Sequence, residues 1–383
     1  MKILFVINSF YTTGNGLAAS ARRTVQKLKE AGEDVRVLSQ KNPDDHGIQP
    51  DYVVPGFELP WVFGKLVREQ GYAFSAPDQK VITEAVSWAD VVHLEEPFPL
   101  QSVVCRIANR MNVPCTCTYH IHPENIFASV GLEHSTLCND AMMKIWKKTV
   151  FDHCVIMQAP SENAAKRLRA YHVKPEIRVI SNGILPTPRP LPDPDRKTPP
   201  YVIICVGRYS REKNQLLLFK AMWYSHYARK IQLVFAGKGP YEEKIRNAGI
   251  KLMEQGIIAY QPVMKFMTYE EIQKLSVNAD LFVHCADIEV EGMSCMETIR
   301  NGLVPVIAEG KHTACSQFAR SKESVYPCGD AKALAERIDY WLSDDTRRKT
   351  EAKKYLIDTE QYGISRSIQK LREMFRDACK RGK

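Results

Sequence analysis

Leu281 to Ile307 reads L-F-V-H-C-A-D-I-E-V-E-G-M-S-C-M-E-T-I-R-N-G-L-V-P-V-I. A short apolar run opens it, an acidic loop containing Gly292 follows, the next residues have helical spacing, and a second apolar run closes it. That order is one β-loop-α-β unit. In open parallel sheets ligands sit beyond the carboxyl ends of the strands, which places Asp287 to Ser294 where chemistry belongs. The helix behind that loop starts with unpaired N–H groups that favour an anion, and a diphosphate is the natural guest. Glu289 and Glu297 frame the loop and could accept from sugar hydroxyls, while Gly292 lets backbone approach a ligand closely. A plainer reading stands beside this one. Ser294 followed by Glu297 is also an S-x-x-E capping box worth roughly 1 kcal/mol, and Glu289 could be a solvated loop acid.

The rest of the chain narrows the choice. At 383 residues and 44% hydrophobic composition it exceeds one ordinary core and fits two domains. Eleven cysteines, odd in number and scattered, indicate reduced thiols rather than a disulfide framework, and no zinc spacing occurs. Cys115 and Cys117 are strand residues on this reading. The apolar run from Met1 to Ile7 meets Asn8 and Ser9 at once, so it is a first strand and too short for a signal peptide. No stretch approaches the ~20 apolar residues of a spanning helix. A cytoplasmic protein is the expectation, with peripheral attachment to the inner face of the cell membrane the further possibility.

The formal charge of +9 is concentrated in the second half, where 33 Lys and Arg meet 25 Asp and Glu. Residues 364 to 383 carry seven basic and two acidic side chains. No recognition motif or basic-aromatic interleaving accompanies this charge, so nucleic acid is not the expected partner. Anionic lipid or an anionic substrate suits it better.

Seven of the fifteen residues from Pro186 to Pro200 are proline, which excludes helix and central strand and predicts an extended linker. The domains predicted on either side are 1–185 and 201–383, the second including the helical tail. Asp193 and Asp195 form a D-x-D pattern that we read as linker composition rather than a metal site.

The first domain opens β-α-β, with a strand at Ile3 to Ile7, a glycine loop at Gly14-Asn15-Gly16, a helix from about Ala18 and a strand at Val35 to Leu38. The loop lacks the third glycine of a dinucleotide fingerprint, yet it allows a tight turn near a phosphate. Further strands are predicted at Val91 to His93, Cys115 to Tyr119 and Cys154 to Gln158. Tyr119-His120-Ile121-His122-Pro123-Glu124-Asn125 sets two histidines, an acid and an amide where a parallel strand ends, which raises His120 above an ordinary structural histidine. Lys144, Lys147 and Lys148 surround Ile145 and Trp146 on a basic amphipathic segment. It reads either as an interfacial helix or as a solvated face.

The second domain repeats the plan. Strands at Tyr201 to Val206 and Ile231 to Ala236 run into Gly207-Arg208-Tyr209-Ser210-Arg211-Glu212-Lys213 and Gly237-Lys238-Gly239-Pro240. An arginine fork and a lysine point charge at a strand's carboxyl end suit diphosphate recognition, although both could be solvated cations.

Taken together, these motifs resemble the family-four retaining glycosyltransferases of the GT-B fold. The carriers are strand-G-R-x-x-x-E-K at Gly207 to Lys213, Ala236 to Pro240, and E-x-x-G-x-x-x-x-E from Glu289 to Glu297. The resemblance covers nearly the whole chain, and it implies an α/β architecture of two Rossmann-like domains facing each other across a cleft. It further implies that Arg208 and Lys213 contact the diphosphate of a nucleotide sugar, Glu289 the transferred sugar and Glu297 the ribose. Gly16, Gly237, Gly292, Met293 and Ser294 would line the donor, and His120 would lie beside the transferred sugar. His122, Glu124 and Asn125 are weaker acceptor-side candidates, and Lys144, Trp146, Lys147 and Lys148 are candidate membrane contacts. The chain departs from the family at Thr298-Ile299-Arg300-Asn301-Gly302, where members carry a Met-Ala-Cys-Gly-like run, and at Glu291. Gly71-Tyr72-Ala73-Phe74 with Pro77-Asp78, and the His120 to Asn125 run, are reminiscent of bacterial members that glycosylate membrane lipids such as diacylglycerol.

The activity implied is retaining transfer of a hexosyl group, UDP-sugar favoured, to a lipid or glycan hydroxyl. Front-face substitution is the family's usual proposal, with the leaving diphosphate helping to deprotonate the acceptor. No cofactor is expected, and no metal, because cations and a helix start neutralise the leaving group. A GT-B sugar-nucleotide epimerase and a non-catalytic sugar-nucleotide or membrane-binding protein are the alternatives. A nicotinamide dehydrogenase is disfavoured by the incomplete glycine fingerprint.

Overall fold

The computed structural model describes residues 1–12, 16–44, 47–57, 74–186, 191, 193 and 198–382. They form two compact units, one of Met1–Gly183 with Ile364–Lys383 and the other of Ile184–Gly363. No helix among them is long and apolar enough to cross a membrane.

In the first unit β1 (Lys2–Val6), β2 (Asp34–Gln40) and β3 (Tyr52–Val54) are followed by a small antiparallel pair, β4 (Gly56–Phe57) and β5 (Phe74–Ser75). Then come β6 (Val91–Leu94), β7 (Cys115–Thr118), β8 (Ile156–Ala159) and β9 (Glu176–Val179). The main sheet runs β3-β2-β1-β6-β7-β8-β9, parallel throughout. Its central strands are buried on both faces, as β6 and β7 show in having no exposed residue. Continuous apolar runs rather than alternation follow from that double cover.

The second unit contains β10 (Tyr201–Val206), β11 (Ile231–Ala236), β12 (Val263–Lys265), β13 (Leu281–His284), β14 (Val304–Glu309) and β15 (Val325–Pro327). They form a parallel sheet in the order β12-β11-β10-β13-β14-β15. Strand order reverses at β10 between β11 and β13, the place where an open α/β sheet leaves a crevice at its carboxyl edge. Phe219 and Phe235 stack with ring centroids 5.1 Å apart in the core beneath it. The Leu281 to Ile307 stretch is β13, a helix at Met293–Ile299, and the start of β14.

The tail differs from the sequence reading. The helix Ile364–Arg381 belongs with the first unit, not the second. Ile364, Ile368, Leu371, Met374, Phe375 and Ala378 share its buried face at helical spacing. Phe375 meets Phe5 edge-on at 6.4 Å and the His93 ring at 5.1 Å. Several of its charged side chains also pair with the rest of the unit. Arg372 Nε lies 2.6 Å from Glu33 Oε1, Asp377 pairs with Arg178 at 3.0 Å, and Arg381 pairs with Glu176. Arg372 and Arg381 of the basic tail therefore serve attachment within the unit.

Of the linker, 187–190, 192 and 194–197 lie outside the described residues, as do Gly14, Asn15 and Gly71 to Ala73. Asp193 donates its N–H to Asn278 Oδ1 at 2.7 Å.

Candidate functional site

The second unit assembles its candidate residues at the carboxyl ends of β10 and β13. After β10 the chain makes a one-turn helix at Arg211–Lys213 and reverses through Asn214, whose φ of 47° is left-handed, a conformation asparagine tolerates. Asn214 Nδ2 donates to Asp287 Oδ2 at 3.0 Å and the Asp287 N–H donates to Glu212 O at 3.0 Å, so the two strand-end loops are laced together. Arg208 reaches Glu212 at 2.5 Å, and Ser210 Oγ donates to the same carboxylate at 2.7 Å. Burial opposes ionisation of Glu212, but Arg208 and Ser210 outweigh it and hold the acid below its ordinary range. Lys213 pairs directly with Glu289 Oε2.

Glu289 is also fixed through its backbone. Its N–H donates to His312 O at 2.9 Å and its carbonyl accepts from the Ala314 N–H at 2.9 Å. Desolvation alone would raise its pKa; Lys213 and His284 reverse that and hold it well below the usual carboxylate range. His284, at the end of β13, has Nε2 3.6 Å from Glu289 Oε2 and 3.2 Å from Cys315 Sγ. Burial would lower the imidazole's pKa, yet Cys315 and Glu289 carry it up to about 9. The reading of the sequence passed over His284, although it carries the signal that singled out His120, a histidine ending a parallel strand.

The ligating atoms of His284, Glu289 and Cys315 lie within 4.8 Å of one another, a spacing that could hold a metal ion. Lys213 already supplies the positive charge at Glu289, so the cluster is balanced as a network of protein charges.

Two glycines are dictated by close approach. A Cβ on Gly237 would sit 2.0 Å from Gly207 O, and one on Gly292 would sit 2.0 Å from Cys315 Sγ at a φ of 96°. Gly292 is the N-cap of the helix Met293–Ile299, and no side chain caps it. The capping box of the plainer reading therefore does not form. Ser294 lies inside the first turn, and Glu297 is half-buried one turn on. Gly16 begins the helix Gly16–Glu30, and a Cβ there would meet nothing within 4 Å.

In the first unit the end of β7 brings His120 to a carboxylate absent from the sequence-derived candidates. His120 Nε2 lies 2.6 Å from Glu95 Oε2, and His93 Nε2 lies 3.4 Å from Glu95 Oε1. Burial works against the Glu95 charge, but the two imidazoles bring it down to about 2. The neighbouring Glu96 goes the other way, to about 7, because burial outweighs its bonds from the Asn8 N–H (2.7 Å), Asn8 Nδ2 (2.6 Å) and Gln101 Nε2 (3.0 Å).

The other acceptor-side candidates hold the fold. His122 is fully buried with Nδ1 2.9 Å from the Tyr119 hydroxyl, Glu124 pairs with Arg167 at 2.7 Å, and Asn125 Oδ1 accepts from the His122 N–H at 3.0 Å. On the helix Thr136–Thr149, Trp146 is buried against Phe98 and Phe151, so it is not a membrane contact in this structure. Lys147 pairs with Asp152 at 2.5 Å. Lys144, Ile145 and Lys148 are exposed, and Leu137 on the same face is 80% exposed.

Comparison with known proteins completes the picture. Residues 14–187 match the family model described as Glycosyltransferase Family 4, and residues 191–357 match that described as Glycosyl transferases group 1. The chain is a family-four glycosyltransferase of the GT-B fold. This glycosyltransferase is 23% identical over 369 residues to a GDP-mannose-dependent alpha-mannosyltransferase of Corynebacterium glutamicum, covering 91% of this chain and 82% of that one. Its fold matches sucrose-phosphate synthase from Thermosynechococcus elongatus with a TM-score of 0.72 at 15% identity, over 98% of both chains. It also matches Anabaena HepE, solved in complex with UDP and glucose, with a TM-score of 0.69 at 14% identity over 98% of this chain and 100% of that one.

Proposed function

We propose that this glycosyltransferase moves a hexosyl group, with retention, from a nucleoside diphosphate sugar to the hydroxyl of a membrane lipid such as diacylglycerol or of a cell-envelope glycan. The observation that carries the reading is the convergence of Arg208, Lys213 and Glu289 at the carboxyl edge of one parallel sheet, beside the Gly292 helix start. Arg208 and Lys213 supply charge for a departing diphosphate, and preorganised charge costs no rearrangement as the bond breaks. Glu289 stays ionised beside a sugar ring that becomes cationic. The sugar C1–O bond breaks towards the diphosphate while the acceptor oxygen bonds to C1 on the same face, and the acceptor's proton passes to a diphosphate oxygen. Arg208 and Lys213 stand in for the charge a divalent ion would bring, so turnover should survive a chelator.

UDP-sugar is the favoured donor, supported by the HepE complex with UDP and glucose. The Corynebacterium relative is described as GDP-mannose-dependent, so the guanine donor is the competitor. Lipid as acceptor is supported by the exposed Leu137, Lys144, Ile145 and Lys148 face. The deciding experiment incubates the protein with a panel of UDP- and GDP-sugars, with and without diacylglycerol vesicles, and follows donor loss and the anomeric configuration of the product. Transfer to lipid with the donor's α-configuration kept supports the reading. Inversion, or epimerised sugar nucleotide formed without acceptor, sinks it.

A further inference from the structure

His284, Glu289 and Cys315 of the second unit are each fixed through the backbone. His284 ends β13, and its carbonyl accepts the Tyr326 hydroxyl at 3.1 Å. The Glu289 main chain is held on both sides by the 312–314 segment, which delivers Cys315 at the start of the one-turn helix Cys315–Phe318. The sulfur then seats against Gly292, where a Cβ would lie 2.0 Å from Sγ. A buried cysteine ordinarily fills space like a small apolar side chain. This one turns its sulfur towards an imidazole and a carboxylate instead.

The spacing is that of a tetrahedral ion. Zinc binds histidine nitrogen at about 2.0–2.1 Å, thiolate at about 2.3 Å and carboxylate oxygen at about 2.0–2.2 Å, which sets nitrogen about 3.5 Å from sulfur and about 3.4 Å from oxygen. His284 Nε2 lies 3.2 Å from Cys315 Sγ and 3.6 Å from Glu289 Oε2. Both edges agree with the ideal to within about 0.3 Å. A thiolate and a carboxylate also balance a doubly charged ion, whereas the nitrogen and sulfur ligands disfavour magnesium and calcium. One group stands in the way. The Lys213 ammonium occupies Glu289, but its side chain is 23% exposed on a flexible stem, and the Glu289 side chain is 18% exposed, so an ion can enter as the ammonium withdraws.

We propose that His284, Glu289 and Cys315 form a site for zinc and similar divalent ions, and that the bound ion switches donor use off by displacing Lys213 from Glu289. On binding, the Cys315 thiol gives its proton to solvent. The ion is an inhibitor here and no part of turnover. The site stands on its own geometry, while the inhibition rests on the functional reading above, in which Lys213 and Glu289 serve the donor.

The test uses the full chain, reduced and stripped of metal, in a Cys138→Ser, Cys328→Ser, Cys379→Ser background that removes the half-exposed thiols. Cadmium should raise a cadmium–thiolate charge-transfer absorption that saturates at a single ion, and zinc, but not magnesium, should compete for it. Adding Cys315→Ser should abolish the band and weaken zinc by more than the roughly 10- to 100-fold lost when a residue behind a metal ligand is removed. Lys213→Gln, which takes away the competing ammonium, should bind zinc more tightly than its parent. A band that survives Cys315→Ser, or zinc held no better than magnesium, overturns the site. Weaker zinc binding in Lys213→Gln overturns the displacement. Turnover of the nucleotide sugar should be lost as zinc fills the site, return on chelation, and persist under the same zinc in Cys315→Ser. Turnover unchanged or raised with zinc bound overturns the inhibition. Failure of the glycosyl-transfer reading would leave the charge-transfer band as it is, so the two are told apart.

Discussion

Lys213 and Glu289 are each other's counter-ion, a contact across 76 residues of sequence that joins the proposed diphosphate contact to the proposed sugar contact. A donor that engages Lys213 must draw its ammonium partly away from Glu289, so binding of the phosphates and exposure of the carboxylate to the sugar are coupled events.

Removing either partner alone should cost more than its share of donor contacts. Lys213→Ala should lower kcat/KM by roughly ten- to a hundredfold, for a lost charge-assisted bond of ~1.5–3 kcal/mol, and should also destabilise the fold by leaving Glu289 with His284 alone beside it. Glu289→Gln should reduce kcat far more than affinity for the nucleoside diphosphate. In denaturant melts the double variant should be less destabilised than the two single losses added together. Additive losses would show that the pair is not coupled.

Arg208→Ala should weaken donor use by a similar factor and leave Glu212, only 2% exposed, without its guanidinium. Arg208→Lys should recover part of the stability but less of the activity, because a point charge cannot reproduce the planar fork. Full activity in Arg208→Ala would remove it from the diphosphate site.

Glu96 makes the stability of the first unit pH-dependent. Its folded pKa of about 7 lies above the ordinary 4.5, so the native state holds a proton that the unfolded chain releases between those values. The contribution is therefore full below about pH 4.5 and lost as pH rises through about 7, a span worth about 3 kcal/mol. Glu95, brought down to about 2, works in the opposite sense and loses its contribution only in strong acid. Glu96→Gln should consequently melt higher than the wild type at pH 8 and show no such gain at pH 4. Parallel curves at both pH values would mean that Glu96 ionises normally.

The fold was largely legible because apolar strands alternate with glycine-containing loops; the ends of β10 and β11 fall where the apolar runs of Tyr201 to Val206 and Ile231 to Ala236 stop. Arg208, Lys213 and Glu289 were legible for the same reason, since each follows a strand end. Trp146 was misread through its basic neighbours, although Asn139, Met143 and Trp146 recur at the helical spacing of a buried stripe. His284 was passed over although it ends a parallel strand as His120 does, whereas Glu95 and the berth of the last helix were out of reach. Periodicity tells which face of a helix is apolar, not which surface covers it, and the contact that links Glu95 to the His120 run spans 25 residues of sequence.

The membrane attachment proposed for this chain would rest on four exposed side chains of the helix Thr136–Thr149 rather than on the tail. Each Lys near an anionic surface contributes about 1 kcal/mol, so Lys144 and Lys148, with Ile145 and Leu137 inserted, should give weak binding that salt reverses over a Debye length of ~8 Å. Flotation with vesicles of graded anionic content should show binding that fails in high salt and in a Lys144→Gln, Lys148→Gln, Ile145→Ser variant. Replacing Trp146 should instead lower stability. A protein that never floats would point to a soluble glycan acceptor.

The return of Ile364–Arg381 to the first unit bears on how the chain acquires its structure during synthesis. The surface around Phe5 and His93 stays uncovered until residues 364 to 381 have been synthesised, whereas residues 184 to 363 contain all the strands of their own sheet. The usual order, in which the amino-terminal domain finishes first, is thereby reversed: the nascent first unit must wait, apolar face open to chaperones, while the second unit can close ahead of it.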